Sequence, residues 1–113
     1  MLGPIFFDVE VVGAANLKRA CPDAVSCFLL PPCWAEVERR LRARGTETEE
    51  TLARRLATGR RELGEAHTFD YLVLNDALAE AVDDLDAVYR AARQRAVERL
   101  PLLARVRAEA EAG

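Results

Sequence analysis

The stretch Arg39–Leu56, RRLRARGTETEETLARRL, carries much of the information in this 113-residue chain. It reads as helix, turn, helix. Just upstream, Trp34, Val37 and Leu41 lie at i, i+3 and i+7 and form one apolar helical stripe. Gly45 ends that helix, because glycine takes the left-handed backbone conformation of a helix C-terminus without a Cβ clash. Thr46 and Glu49 have the T-x-x-E spacing of a capping box for the next helix, and Leu52, Leu56 and Leu63 form its apolar side. Gly59 lies inside it at a cost of about 1 kcal/mol relative to alanine. Eight of the fifteen arginines fall between Arg39 and Arg61, in a chain with one lysine and a formal charge of −3. A local basic cluster on an acidic chain points to a site rather than to general polyanion binding. The same spacing also suits a solvated helix face laced with Glu–Arg pairs.

Working outward, Ile5–Val12, IFFDVEVV, reads as a strand with Asp8 and Glu10 on one face, since residues i and i+2 point the same way. A short helical piece, AANLKRA, follows Gly13, and Pro22 with Asp23 makes a turn. Ala24–Leu30, AVSCFLL, is a near-continuous apolar run, the pattern of a strand buried on both faces. Pro31 and Pro32 stop it, and Pro32 suits the first turn of a helix. Tyr71–Leu74, YLVL, is a third strand, ending at Asn75 and Asp76. Asp76 is expected to cap the helix that follows. Leu78, Ala81, Val82, Leu85, Val88, Tyr89 and Ala92 give that helix a clear apolar period. Beyond Arg95, Pro101 predicts a break and a frayed end. Strands alternating with helices argue for an α/β layer fold with parallel strands.

Composition narrows the class. One domain fits the length, and half of the residues are apolar, so a core can form. The balance of charge gives no pull toward nucleic acid or an anionic membrane, and neither is expected as a partner. Cys21, Cys27 and Cys33 lack a C-x-x-C pair and His67 is remote, so no bound metal is expected in this chain. Unpatterned cysteines and the lack of an apparent signal peptide suit the cytoplasm.

Four segments taken in order resemble the guanylate kinase family. Phe7–Ala14, FDVEVVGA, is similar to the family's acidic strand, L-D-I-D-V-Q-G-A. Leu30–Pro32 matches its L-P-P. Arg40–Leu56 fits its lid, R-L-x-x-R-G-T-x-x-E-E followed by R-L. Phe69–Asp76 fits the closing F-D-Y-x-x-x-N-D. The resemblance implies a partial P-loop nucleoside-monophosphate-kinase-like three-layer α/β fold with parallel strands. It lacks the amino-terminal strand and phosphate loop: none of the six glycines is followed by lysine, as G-x-x-x-x-G-K-[ST] requires. The GMP-binding subdomain has no counterpart either. Residues 1–94 then form the carboxy-terminal half of a guanylate-kinase-like domain, with its lid at about 40–62, and 95–113 a helical tail.

The resemblance also implies roles. Arg40, Arg44 and Arg55 are the lid arginines that meet the ATP phosphates, and Asn75 hydrogen-bonds adenine. Asp8 lies near magnesium and the phosphates, and Glu10 touches the guanine of GMP. Glu10 stands where the family has aspartate, and Val12 where it has glutamine, which changes the fit on the GMP side. Arginine suits the lid role because it stays charged and offers a fork of donors. The remaining arginines, Arg39, Arg42, Arg54, Arg60 and Arg61, read as solvated. The implied reaction is ATP-dependent phosphorylation of GMP to GDP with Mg2+, and this chain alone is expected to be inactive. The alternatives are a non-catalytic guanylate-kinase-like interaction module or relic, and a sibling kinase for another phosphorylated acceptor. In the family's sheet a strand lies between the acidic strand and AVSCFLL. Without it those two strands should pair with each other, or the chain should be marginally stable or self-associate through exposed strand edges.

Overall fold

The computed structural model describes residues 11–45 and 48–113. The order is α1 Val11–Ala20, β1 Cys27–Leu30, α2 Trp34–Ala43, α3 Glu49–Glu65, a 3-10 turn Ala66–Thr68, β2 Tyr71–Leu74, α4 Leu78–Ala92 and α5 Ala96–Ala112. The chain is α/β and mostly helical, with a short parallel sheet. Ile5–Glu10 lie outside the described residues, and with them the candidates Asp8 and Glu10. Val11 and Val12, expected to end the acidic strand, begin α1 instead. A helix satisfies its own backbone groups, whereas a strand needs a neighbour, and among the described residues β1 pairs with β2.

The register is Cys27↔Tyr71, Phe28↔Leu72, Leu29↔Val73 and Leu30↔Leu74. A parallel pair needs a crossover, supplied here by α2, α3 and the 3-10 turn. Before β1, Ala24 N–H donates to the Cys21 carbonyl at 2.9 Å, closing the expected turn around Pro22 and Asp23. Gly45 follows α2 at φ 66°, the left-handed stop that its sequence position requires.

The α3 cap differs from expectation. Thr46 lies outside the described residues, and Thr48 is the N-cap, its hydroxyl accepting from Thr51 N–H at 3.1 Å. Glu49 is thus the first helical residue rather than the third. Nor does Asn75 or Asp76 cap α4, which starts after Ala77 without a side-chain cap. The sheet register runs on through residue 75, whose N–H donates to the Leu30 carbonyl at 2.7 Å, and this delays the helix. Pro101 does not break α5, which runs through it. The proline forfeits one internal bond, that to the Val97 carbonyl, and the rest of the helix continues.

The buried apolar residues are Leu52, Leu56, Ala66, Val73 and Ala81, from α3, the 3-10 turn, β2 and α4. α4 packs on β2, α3 on the 3-10 turn and α2 on α3. The Trp34 indole lies against α3 beside Gly59, while the Arg60 guanidinium stacks over that ring at 4.8 Å from its centroid. Arg60, read as merely solvated, therefore helps join the two helices. The expectation that the strand of AVSCFLL is buried on both faces fails: Leu29 is 48% exposed, and in β2 Leu72 is 50% and Leu74 47% exposed, on a sheet that has two strands among the described residues. Leu78 is likewise 78% exposed, although it belongs to the α4 apolar period. Extents of 71 × 29 × 21 Å describe an elongated molecule.

Candidate nucleotide site at the carboxyl end of the sheet

Leu30 and Leu74 face each other at the ends of parallel strands, so the loops that follow, Pro31–Cys33 and Asn75–Ala77, begin side by side. Ligands of parallel α/β sheets gather outside this end. α2 rises from the first loop and carries Glu36, Arg39 and Arg40. Arg40 reaches across to the second loop. Its Nη1 donates to the Asn75 carbonyl at 3.0 Å and its Nη2 to the Asp76 carbonyl at 3.4 Å. Its Nε donates to Glu36 Oε1 at 3.0 Å, one helical turn back. These bonds occupy three of the five guanidinium N–H groups and leave two for another acceptor.

Glu36 holds this arrangement. Both its oxygens accept from Arg39, with Oε2 at 2.9 Å from Arg39 Nε, and Oε1 also accepts from Arg40. Its pKa is pushed down to about 2, first by the hydrogen bonds from Arg39; partial burial opposes this, and Arg40 adds to it. Glu36 remains a carboxylate at any ordinary pH, which keeps Arg40 oriented. Sequence reasoning passed over Glu36, although its spacing four residues before Arg40 was a usable signal.

The other lid candidates follow. Arg44 closes α2 as its C-cap residue and is exposed, one turn beyond Arg40. Arg55 is exposed on α3, next to buried Leu56. The structure thus brings Arg40 and Asn75 together through direct hydrogen bonding. It sets Arg44 and Arg55 on either side of the Gly45 turn. Arg42 shows the other reading of the cluster, pairing with Glu38 at 3.9 Å and Glu49 at 3.4 Å in water-exposed ion pairs of about 0–1 kcal/mol each.

A second polar cluster sits at the amino end of the strands. Asp70 Oδ2 accepts from Lys18 Nζ at 2.9 Å, from Ser26 N–H at 2.9 Å and from Ser26 Oγ at 3.2 Å. Ser26 Oγ accepts in turn from Asp70 N–H at 3.0 Å, and Lys18 also donates to the Ala24 carbonyl. Burial acts to raise the Asp70 pKa, but the bonds from Lys18 and Ser26 outweigh it and the net shift is downward. Burial, and then the Asp70 carboxylate, push the Cys27 thiol up. A shallow cleft of about 290 Å³, lined by Ala14, Ala15, Lys18, Ser26 and Phe69 among others, opens beside this cluster. It lies away from Arg40 and Asn75, at the end of the sheet where ligands of such folds do not gather. No group of three metal-binding side chains occurs among the described residues, and no helix there is long and apolar enough to cross a membrane.

Arg40 and Asn75 thus meet at the carboxyl ends of parallel strands, where ligands of α/β folds gather. A family model described as guanylate kinase matches residues 3–92. The chain is 51% identical over 88 residues to a guanylate kinase of Oleidesulfovibrio alaskensis, covering 78% of this chain and 43% of that protein. It is 44% identical over 106 residues to a guanylate kinase of Syntrophotalea carbinolica, covering 94% and 47%. The corresponding match in Thermus thermophilus is 46% over 91 residues, covering 80% and 41%. The chain belongs to the guanylate kinase family, and it spans somewhat less than half the length of these curated relatives.

Proposed function

We propose that this chain supplies the lid and adenine side of a guanylate kinase, transferring the terminal phosphoryl group of ATP to GMP. The observation that carries the reading is the bridge from Arg40 to the carbonyls of Asn75 and Asp76, which sets a lid arginine beside the candidate adenine-binding residue. Phosphoryl transfer depends on positioning and on neutralising charge at the moving group. In this reading Arg40 keeps two N–H donors for phosphate oxygens, while Arg44 and Arg55 add charge from either side of the Gly45 turn. Asn75 offers its side-chain amide to adenine. Asp8 stands near the phosphates and Glu10 near guanine. Magnesium, entering with the nucleotide, supplies neutralisation of the β and γ oxygens. The fold class proposed for the assembled domain is the three-layer P-loop kinase arrangement, acting in the cytoplasm, with residues 95–113 as a helical tail outside it.

The test joins this chain to the part of the Oleidesulfovibrio alaskensis relative outside the matched 88 residues. Coupled detection of ADP should show GMP-dependent turnover in that fusion and none in this chain alone. A fusion that folds cooperatively yet gives no turnover refutes the proposal.

A further inference from the structure

We infer that Glu36 is a positioning residue for phosphoryl transfer, acting through the Arg40 guanidinium and, beyond it, the backbone of Asn75. The inference deepens the kinase reading and rests on it for the identity of the ligand. Arg40 is held at three nitrogens. Nη1 donates to the Asn75 carbonyl at 3.0 Å, Nη2 to the Asp76 carbonyl at 3.4 Å and Nε to Glu36 Oε1 at 3.0 Å. The two carbonyls meet only the terminal nitrogens, and the longer of those bonds is a weak one. The bond at Nε supplies the third point, and three points define the plane of the group.

Arg40 in turn grips residue 75. The Asn75 N–H donates to the Leu30 carbonyl at 2.7 Å, while the Asn75 carbonyl accepts from Arg40. The backbone carrying the Asn75 side chain is therefore held from both sides, by β1 and by α2.

Glu36 is itself held. Arg39 donates to both of its oxygens, with Nε at 2.9 Å from Oε2. Swinging away from Arg40 would cost the carboxylate that fork as well. Glu38 makes the contrast on the same helix. It pairs with Arg42, whose other partner is Glu49 rather than a loop at the strand ends. Glu36 is 23% exposed and Glu38 43%. Donors fixed in advance stabilise a developing charge without reorganising as it forms, and a small misplacement of such a group lowers a rate steeply.

The test is a double-mutant cycle in the fusion with the Oleidesulfovibrio alaskensis relative. Glu36→Gln should lower kcat about tenfold, whereas Glu38→Gln should leave it within about twofold. Added to Arg40→Ala, Glu36→Gln should cost less than about a further twofold, because its effect runs through Arg40. A general loss of helix stability would instead lower the rate equally in both backgrounds. An unchanged kcat in Glu36→Gln, an additive double variant or an equal loss in Glu38→Gln overturns the inference and leaves the kinase reading standing. NMR of the arginine Nε–H groups in this chain gives a second measurement, independent of turnover. Hydrogen exchange at Arg40 Nε–H should be about tenfold or more slower than at exposed Arg54, and Glu36→Gln should abolish the difference. Equal exchange at Arg40 and Arg54 in the unsubstituted chain overturns the inference, even where the variant fails to fold. A fusion without turnover counts against the kinase reading, and the Arg40 exchange then decides the positioning role of Glu36.

Discussion

The two ends of the β1–β2 sheet are held in opposite ways. At the amino end, Asp70 gathers Lys18 and Ser26, so side chains from α1 and both strand entries converge on one carboxylate. All three donors meet the same oxygen, Oδ2, on the side turned toward the chain itself. At the carboxyl end, Arg40 bonds to backbone carbonyls and to Glu36, and part of its donor fork remains unspent. A carboxylate oxygen that gathers three donors from the chain is a clamp. A guanidinium fixed on one side and open on the other is a ready binding group for an anion. The difference separates structural polarity from candidate chemistry more clearly than the shallow cleft does.

The largest effect expected from breaking this contrast is kinetic. In the full-length fusion, Arg40→Ala should lower kcat by about 10³-fold or more, as for other arginines that neutralise a transferring phosphoryl group. Asp70→Ala should leave kcat within a few-fold. Equal losses at the two positions would erase the distinction between the ends. Next comes stability. Asp70→Ala removes three acceptor bonds from a half-exposed carboxylate and should cost about 1–2 kcal/mol in urea unfolding of the same fusion.

Acid provides a finer test. Glu36 has a folded pKa near 2, below its ordinary value of 4.5. A depressed carboxylate stabilises the fold above its unfolded pKa, and that contribution is lost as pH falls through the folded value. The Glu36–Arg40 ion pair should therefore persist through pH 4 and dissolve around pH 2, as Glu36 takes up its proton. Carboxylate NMR of Glu36 reads this directly, and a midpoint near 4.5 would show that the arginines do not hold it. The smallest effect is at Gly59. An added Cβ would meet the Trp34 ring at 3.5–3.6 Å, an ordinary contact, so Gly59→Ala should stabilise α3 by about 0.5–1 kcal/mol in thermal unfolding.

Local signals in the chain were easy to read. Gly45 stops α2 with positive φ, and YLVL is a strand with the expected bounds. Cap positions were harder. The choice among Asn75, Asp76 and Ala77 depends on how far the sheet register extends, and the Asn75–Leu30 bond settles that from outside the local segment. Burial was hardest. CFLL and YLVL are as apolar as fully covered strands, but periodicity reports what a segment can bury, not whether a neighbour is there to cover it. The same holds for Leu78 on α4.

For the site, spacing alone put Arg40 and Arg44 on one helix, one turn apart, and the resemblance gave them their expected lid role. It could not show that Arg40 crosses to residues 75 and 76, because that contact spans more than thirty positions and depends on the parallel pairing of β1 with β2. Nor did it mark Asp70, whose partners lie 44 and 52 residues away. The Gly45 stop, the YLVL strand and family membership are written in neighbouring residues, since backbone propensity acts over a few positions. The clamp at one end of the sheet and the half-open arginine at the other come from the crossover that folds distant segments together.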